Sequence, residues 1–281
     1  MHDIEIKDTI RLHYQELSKN QKKLAEYIIE NFVKVPFLSV QEVSEDSGTS
    51  TATIVRFSQR IGFSGYSELR DAISLVLQES WTKSVFPSIT SLTDDVVASV
   101  AKQDLKDIED TFKHLSKEDF TRAVDYILDA HAVYTAGLGV SYLLAQILAY
   151  QLSQVGIDAK ALHQGSASFL EQLLFFKPND LLIAMSYPPY SKETIETAKI
   201  TSEKNLRVIA ITNSPASPIT FYSTLNLVAK SENVLFTNSC AAISVLINAI
   251  TTECAHSDRS RSEKRLTDVE SIHKGLVETI P

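Results

Sequence analysis

Five residues between positions 50 and 60 have the side chains to read a duplex: Ser50, Thr51, Thr53, Arg56 and Arg60. Short hydroxyl side chains at the N-terminal end of a helix can approach base edges and phosphates. An arginine can grip guanine or phosphate through two parallel N–H bonds. A second set, Gly137, Gly139 and Ser141 in A-G-L-G-V-S, stands where a buried strand would open into a helix. Glycines there allow a tight turn and a close ligand, and the free amides and dipole of a first helical turn favour an anion. The third set, Ser186 and Ser191, brackets Tyr187-Pro188-Pro189-Tyr190 at a second corner of the same kind.

The first set needs two helices at a fixed angle. The segment Val40 to Phe57 has the spacing of a helix-turn-helix, with Val40 and Val43 pointing inward from the first helix. Gly48 falls where the turn needs positive φ, and Ser50 is placed to cap the second helix. Ile54 and Phe57 would face the core, leaving Thr51, Thr53, Arg56 and Arg60 toward solvent or a groove. Ser44 and Thr49 depart from the usual pattern, being polar where a small apolar residue and a hydrophobe are common. Upstream, Leu17, Leu24, Ile28 and Phe32 mark a helix begun by Ser18 and Gln21 and stopped near Val35-Pro36. A further helix is expected over about 66–79.

The other two sets need parallel strand ends. From about residue 120, apolar β-branched runs at 132–135, 180–185, 207–212 and 225–229, with a weaker one at 159–162, alternate with helical patterns. Those patterns cover about 141–155, 166–176, 191–204 and 238–256. Such alternation predicts a parallel sheet covered on both faces, a doubly wound three-layer α/β/α domain following an all-helical one. Its crevice lies at the carboxyl ends of the strands. The expected organisation is a helix-turn-helix domain at 1–80, a linker and connecting helix at 81–119, the α/β domain at 120–257 and a charged helix at 258–281. In the connecting helix, Val97, Ala101, Leu105, Ile108 and Phe112 share one side.

Composition narrows the classes. With 281 residues, 44% hydrophobic and 22% charged, the chain is globular rather than disordered or fibrous. Its formal charge of −8 gives no overall attraction to nucleic acid, so any such contact must be local. Residues 1–80 themselves carry nine basic against twelve acidic groups, although Ser50 to Arg70 sets three arginines against Glu68. Binding is thus expected to rest on geometry and dimer avidity, with a modest salt slope. Cys240 and Cys254 offer neither a disulfide framework nor zinc spacing and read as packing residues. No apolar run is long enough for a membrane span, and M-H-D-I-E-I-K-D is no signal core, so a cytoplasmic protein is expected. The motif at 136–141 lacks the third glycine of a dinucleotide fingerprint, which argues against NAD. No cofactor or metal is called for. His163, Glu171, Glu193 and His256 have sufficient explanations as loop or helix residues.

The run S-T-A-T-I-V-R-F-S-Q-R-I-G-F-S-G-Y-S-E-L-R, residues 50 to 70, resembles the signature of RpiR/MurR-type bacterial transcriptional regulators. L-S-K-N-Q-K-K-L-A-E-Y-I-I-E-N resembles their opening helix. The corners at 136–141 and 186–194, with V-I-A-I-T-N-S-P-A-S-P at 208–218, are similar to the sugar isomerase (SIS) domain that usually follows. The resemblance implies a double-stranded DNA operator and a phosphosugar or similar anion as partners and a homo-oligomer (dimer or tetramer); the direction of regulation is not in the sequence, and repression is taken as the default. Where many SIS domains have S-x-S-G-x-T, this chain has Ser186, Tyr187, Pro188, Pro189, Tyr190 and Ser191. Proline brings no N–H, so two potential phosphate donors are gone. The competing readings are a phosphosugar isomerase or lyase, which would need a positioned base, and a DNA-binding scaffold without a ligand.

Overall fold

The computed structural model describes residues 2–77, 95–165, 167–232 and 238–277. The chain forms two compact units, Met1–Ser91 and Leu92–Pro281. The linker expected at 81–95 falls, but for Asp95, outside the described residues.

The first unit is helical: α1 (His2–His13), α2 (Lys19–Glu30), α3 (Val40–Ser47), α4 (Thr51–Arg60) and α5 (66–77). Ser18 and Gln21 form the capping box that starts α2, and Ser39 with Glu42 starts α3 in the same way. Helix α2 ends earlier than its apolar pattern predicts, at Asn31, which leaves helical geometry (φ −107°, ψ 28°) and turns its side-chain Nδ2 back onto the Tyr27 carbonyl. The chain then makes a short 3-10 turn at Val35–Phe37, with Phe32 still buried. Ile10, Leu24, Ile28, Val43, Ile54, Phe57, Leu69 and Ile73 are fully enclosed. Each such side chain contributes about 1.5–3 kcal/mol of burial. Tyr66 donates its hydroxyl to the carbonyls of Val35 and Leu38, at 3.2 and 2.9 Å, and so ties α5 to the segment before α3.

The second unit holds five parallel strands: β1 (Val133–Ala136), β2 (Ala159–Ala161), β3 (Leu181–Ser186), β4 (Arg207–Thr212) and β5 (Leu225–Val228). Their order is β2-β1-β3-β4-β5, all pairs parallel. Around them run α6 (Val96–His114), α7 (Lys117–Asp129), α8 (Val140–Gln154), the single turn α9 (Phe169–Gln172), α10 (Lys192–Glu203), α11 (Ala241–Ser257) and α12 (Arg259–Val277). Val124, Leu148 and Leu246, from α7, α8 and α11, share one core with Ile183, Ile209 and Leu227 of the sheet. Helix α10 lies along β3 and β4.

Two elements differ from the sequence pattern. The helix expected over 166–176 is only α9 followed by a 3-10 turn at Leu173–Phe175, and Ser166 lies outside the described residues. Ser168 and Glu171 cap its start, while Gln172 Nε2 donates to the carbonyl of His163 at 2.8 Å and so serves the preceding loop. The residue before Pro178 then leaves helical geometry. Helix α6 does not bury the whole apolar side expected of it. Val97 is 80% and Leu105 61% exposed, whereas Asp107 and Thr111 are buried. The cause is the polar segment they serve: Thr111 Oγ1 accepts from the Lys230 amide at 2.8 Å, and Asp104 accepts from the Ser239 hydroxyl at 2.6 Å.

Candidate nucleic-acid interface and ligand crevice

The turn between α3 and α4 is built from polar contacts. Gly48 closes α3 at φ 60°, ψ 34°, the left-handed conformation that glycine adopts without a Cβ penalty. The two departures in this stretch answer each other. Ser44 donates its hydroxyl to the Thr49 carbonyl, and the hydroxyls of Ser47 and Thr49 meet at 2.8 Å. Ser50 caps α4, its Oγ accepting from the Thr53 amide at 3.2 Å.

Helix α4 turns Ile54 and Phe57 fully inward and leaves Thr51, Arg56 and Arg60 exposed. Thr53, expected to face a groove, is instead only 8% exposed, and its hydroxyl meets that of Ser50 at 2.9 Å. Its place is thus in the cap, where Ser58 also spends its hydroxyl on the Ile54 carbonyl. The open face carries Ala52, Val55 and Gln59 besides the expected residues. The two arginines differ. Arg60 reaches Glu16 at 3.7 Å, while Arg56 has no ion pair among the described residues. Lys23 also stands at the turn: its Nζ lies 2.6 Å from where a Cβ on Gly48 would be.

In the second unit, β1 has β2 on one side and β3 on the other, so the chain reverses direction across the sheet there. Such a switch point opens a crevice at the carboxyl ends of the two strands. Ala136 pairs with Ala184, which sets the loop after β1 beside the loop after β3. Gly137 sits so close to α8 that an added Cβ would lie 2.6 Å from the Ser141 carbonyl oxygen. Gly139 has φ 60° and ψ −132°, and it precedes α8 without any side-chain cap. Ser141 is buried at the start of α8.

The loop after β3 is organised differently. Ser186 ends the strand buried, and Thr212 donates its hydroxyl to the Ser186 carbonyl at 2.6 Å. The Pro188–Pro189 bond is cis, and Asn238 Nδ2 donates to the Pro188 carbonyl at 2.6 Å. Tyr190 donates to Asn213 Oδ1 at 3.0 Å, and burial holds its phenol above the ordinary range. Ser191 caps α10 by accepting from the Thr194 amide. Burial also pushes the Tyr187 phenol well up. Thr194 closes the corner expected at 186–194; its buried hydroxyl, three residues after the cap, is not among the candidate residues that the sequence singles out.

Of the remaining ionisable side chains here, one is committed and one is open to solvent. Glu193 accepts from the Phe169 amide and from Gln164 Nε2, at 3.2 and 3.3 Å. His163 is exposed in the loop after β2. Among the described residues no cluster of His, Cys, Asp and Glu could hold a metal ion, and no helix is long and apolar enough to cross a membrane.

Comparison with known proteins agrees with this geometry. Residues 4–80 match the helix-turn-helix domain of the rpiR family, and residues 126–253 match the SIS domain. An uncharacterized HTH-type transcriptional regulator of Caldanaerobacter subterraneus is 29% identical over 230 residues, 81% of this chain and 80% of that protein. The uncharacterized HTH-type transcriptional regulator YfhH of Escherichia coli is 26% identical over 277 residues, 95% of this chain and 98% of its own. Among solved structures, the sugar isomerase domain of an RpiR transcription factor from Sphaerobacter thermophilus shares 25% identity with a TM-score of 0.61, covering 63% of this chain and 99% of that one. The Vibrio vulnificus NanR protein complexed with ManNAc-6P has the same fold across 96% of this chain and 98% of its own, with a TM-score of 0.64 and 23% identity. With an rpiR-family helix-turn-helix domain followed in sequence by a SIS domain, this chain belongs to the RpiR-type HTH-SIS transcriptional regulators.

Proposed function

We propose that this protein is a one-component regulator that docks α4 in the major groove of an operator and senses a phosphosugar or similar small anion in the crevice between β1 and β3. The observation that carries the reading is the pairing, in one chain, of an open polar face on α4 with an uncapped helix start at that crevice. Residues 1–80 serve as the DNA-binding domain, 81–119 as linker and connecting helix, 120–257 as the effector domain, and 258–281 as a further helix. The ManNAc-6P held by NanR supports a phosphorylated sugar as the ligand class. The effector acts by favouring one arrangement of the protein over another, with loss of DNA binding, and hence repression, as the default direction. Glu193, in the first turn of α10, is committed to two donors, which supports binding without turnover.

A homo-oligomer suits a two-fold operator. On α8, Leu143, Ile147 and Tyr150 form an exposed stripe at helical spacing, and such a face supports self-association.

The test is selection of operator duplexes from a randomised pool by the full chain, followed by titration of phosphosugars into the complex. Saturable enrichment, together with a sugar phosphate that changes operator affinity, is the expected result. No enrichment in any condition overturns the DNA assignment. Conversion of an aldose phosphate to its ketose isomer overturns the non-enzymatic one.

A further inference from the structure

Helix α4 carries two arginines and no carboxylate, within a stretch of chain that is net acidic over residues 1–80. Several of its polar side chains are spent inside the protein. Thr53 meets Ser50 in the cap, Ser58 donates to the Ile54 carbonyl, and Gln59 Nε2 donates to the Ser64 carbonyl at 3.3 Å. Arg60 reaches Glu16. Thr51 and Arg56 are left exposed, one at each flank of the open face.

The middle of that face is apolar. On the helix wheel Val55 lies about 40° from Thr51, and Ala52 about 40° from Arg56, so both stand between the two polar flanks. Val55 is 37% exposed and, about 100° from Ile54 and about 160° from Phe57, takes no part in the core those residues enter. A β-branched residue is a weaker helix former than alanine or lysine, and on an open face no burial within the chain offsets that. On binding, its single stiff torsion is an advantage, because little entropy is lost when the side chain is immobilised.

In the major groove the base pairs present hydrogen-bonding edges and one apolar group, the C5-methyl of thymine. Two valine methyls beside an alanine Cβ offer nothing to donors and acceptors, and packing them on a polar edge would leave that edge unsatisfied. Given the docking of α4 proposed above, we infer that Val55, flanked by Ala52, packs on the C5-methyl of a thymine in each operator half-site. Val55 thereby sets base preference at the centre of the helix through a methyl contact that excludes water, while Thr51 and Arg56 act through hydrogen bonds.

The test uses the full chain and an operator selected from a randomised pool, with each thymine replaced in turn by deoxyuridine. That replacement removes the methyl group alone and keeps the base pair with its hydrogen-bonding edges. The expected result is one thymine per half-site at which the wild type loses about fourfold in affinity, the effect of burying one methyl. In Val55→Ala the thymine and uracil duplexes should bind alike, whereas Arg56→Ala should bind both more weakly and keep their difference. Alanine favours the helix, and the helical spectrum of the variant checks that the fold stands. An equal uracil penalty in Val55→Ala and the wild type would give that methyl to another residue and overturn the assignment. Indifference to every thymine methyl, with Arg56→Ala still weakening binding, would overturn it too and leave α4 in the groove. If neither variant changed affinity for any duplex, α4 would lie outside the groove, and the docking would fall together with the assignment.

Discussion

Replacing Arg56 by alanine tests whether α4 reads DNA, and the structure sets the size of the effect. Arg56 is exposed and free of ion pairs among the described residues, so nothing has to be broken before it grips DNA. A bidentate contact to guanine contributes about 1–3 kcal/mol, so its loss weakens each half-site about 5- to 150-fold. On a two-fold operator both copies lose it, and the free-energy cost doubles. Arg60 starts from its contact with Glu16, an exposed pair of about 0–1 kcal/mol that must be released first. Arg60→Ala is therefore expected to cost less than Arg56→Ala, and Glu16→Gln to strengthen binding by at most about fivefold. Fluorescence anisotropy with a selected operator, repeated across a salt series, gives both affinity and slope. A phosphate contact at position 56 lowers the slope by about 0.9 per copy, whereas a base contact leaves it nearly unchanged. Unaltered affinity and slope in Arg56→Ala, with the helical spectrum intact, would refute the placement of this face in a groove.

Gly48→Ala forces a side chain into left-handed geometry and is expected to destabilise the first unit by about 1–2 kcal/mol. Calorimetry should then show its melting temperature lowered on the order of 5–10 °C. Asp107 is held above the ordinary carboxylate range by burial, with the charges of Glu232 and Asp104 adding to the rise. The folded state therefore binds its proton more tightly than the unfolded chain. That contribution to stability is complete below the ordinary carboxylate range and is lost as pH climbs through the raised value. Asp107→Asn keeps the Oδ1 acceptor for Gln103 and should flatten this part of the stability curve, seen as a smaller fall in denaturation midpoint from acid to neutral pH. Cys254, its thiol pushed up to about 12 by burial, should resist a thiol reagent at neutral pH until the protein unfolds. Rapid labelling of that residue in the native protein would show the core to be open.

Strands were legible because a strand buried on both faces must be apolar throughout. The run 207–212 became β4 without shift, and the others moved by a residue or less at an end. Legibility failed where polar side chains served backbone rather than solvent. Thr53 lies about 40° from Phe57 on the helix wheel, so position alone could have placed it inward. On α6, apolar periodicity indicates a face that is partly exposed, because the Lys230 amide takes Thr111 as its acceptor and so draws it inward. No local pattern reports a need that arises 119 residues away.

The buried polar atoms that remain without partners mark where the fold is not self-sufficient. Among the described residues these are Asp107 Oδ2, Ser186 Oγ, Tyr187 OH and Thr194 Oγ1. Three of them fall within nine residues at one wall of the crevice, and each costs about 1–3 kcal/mol while unsatisfied. The polar departures at the α3–α4 turn are all paired, so the deficit is local to the crevice and not a general property of the chain. The same wall is tethered: the Pro188 carbonyl accepts from Asn238, and the next residue, Ser239, donates to Asp104 on α6. Helix α6 is the first described helix after the segment that joins the two units in sequence. On the proposed reading, a ligand that rearranged this wall would act on a loop two hydrogen bonds from the helix that follows the joining segment, which is where differential binding has to be expressed if it is to alter operator affinity.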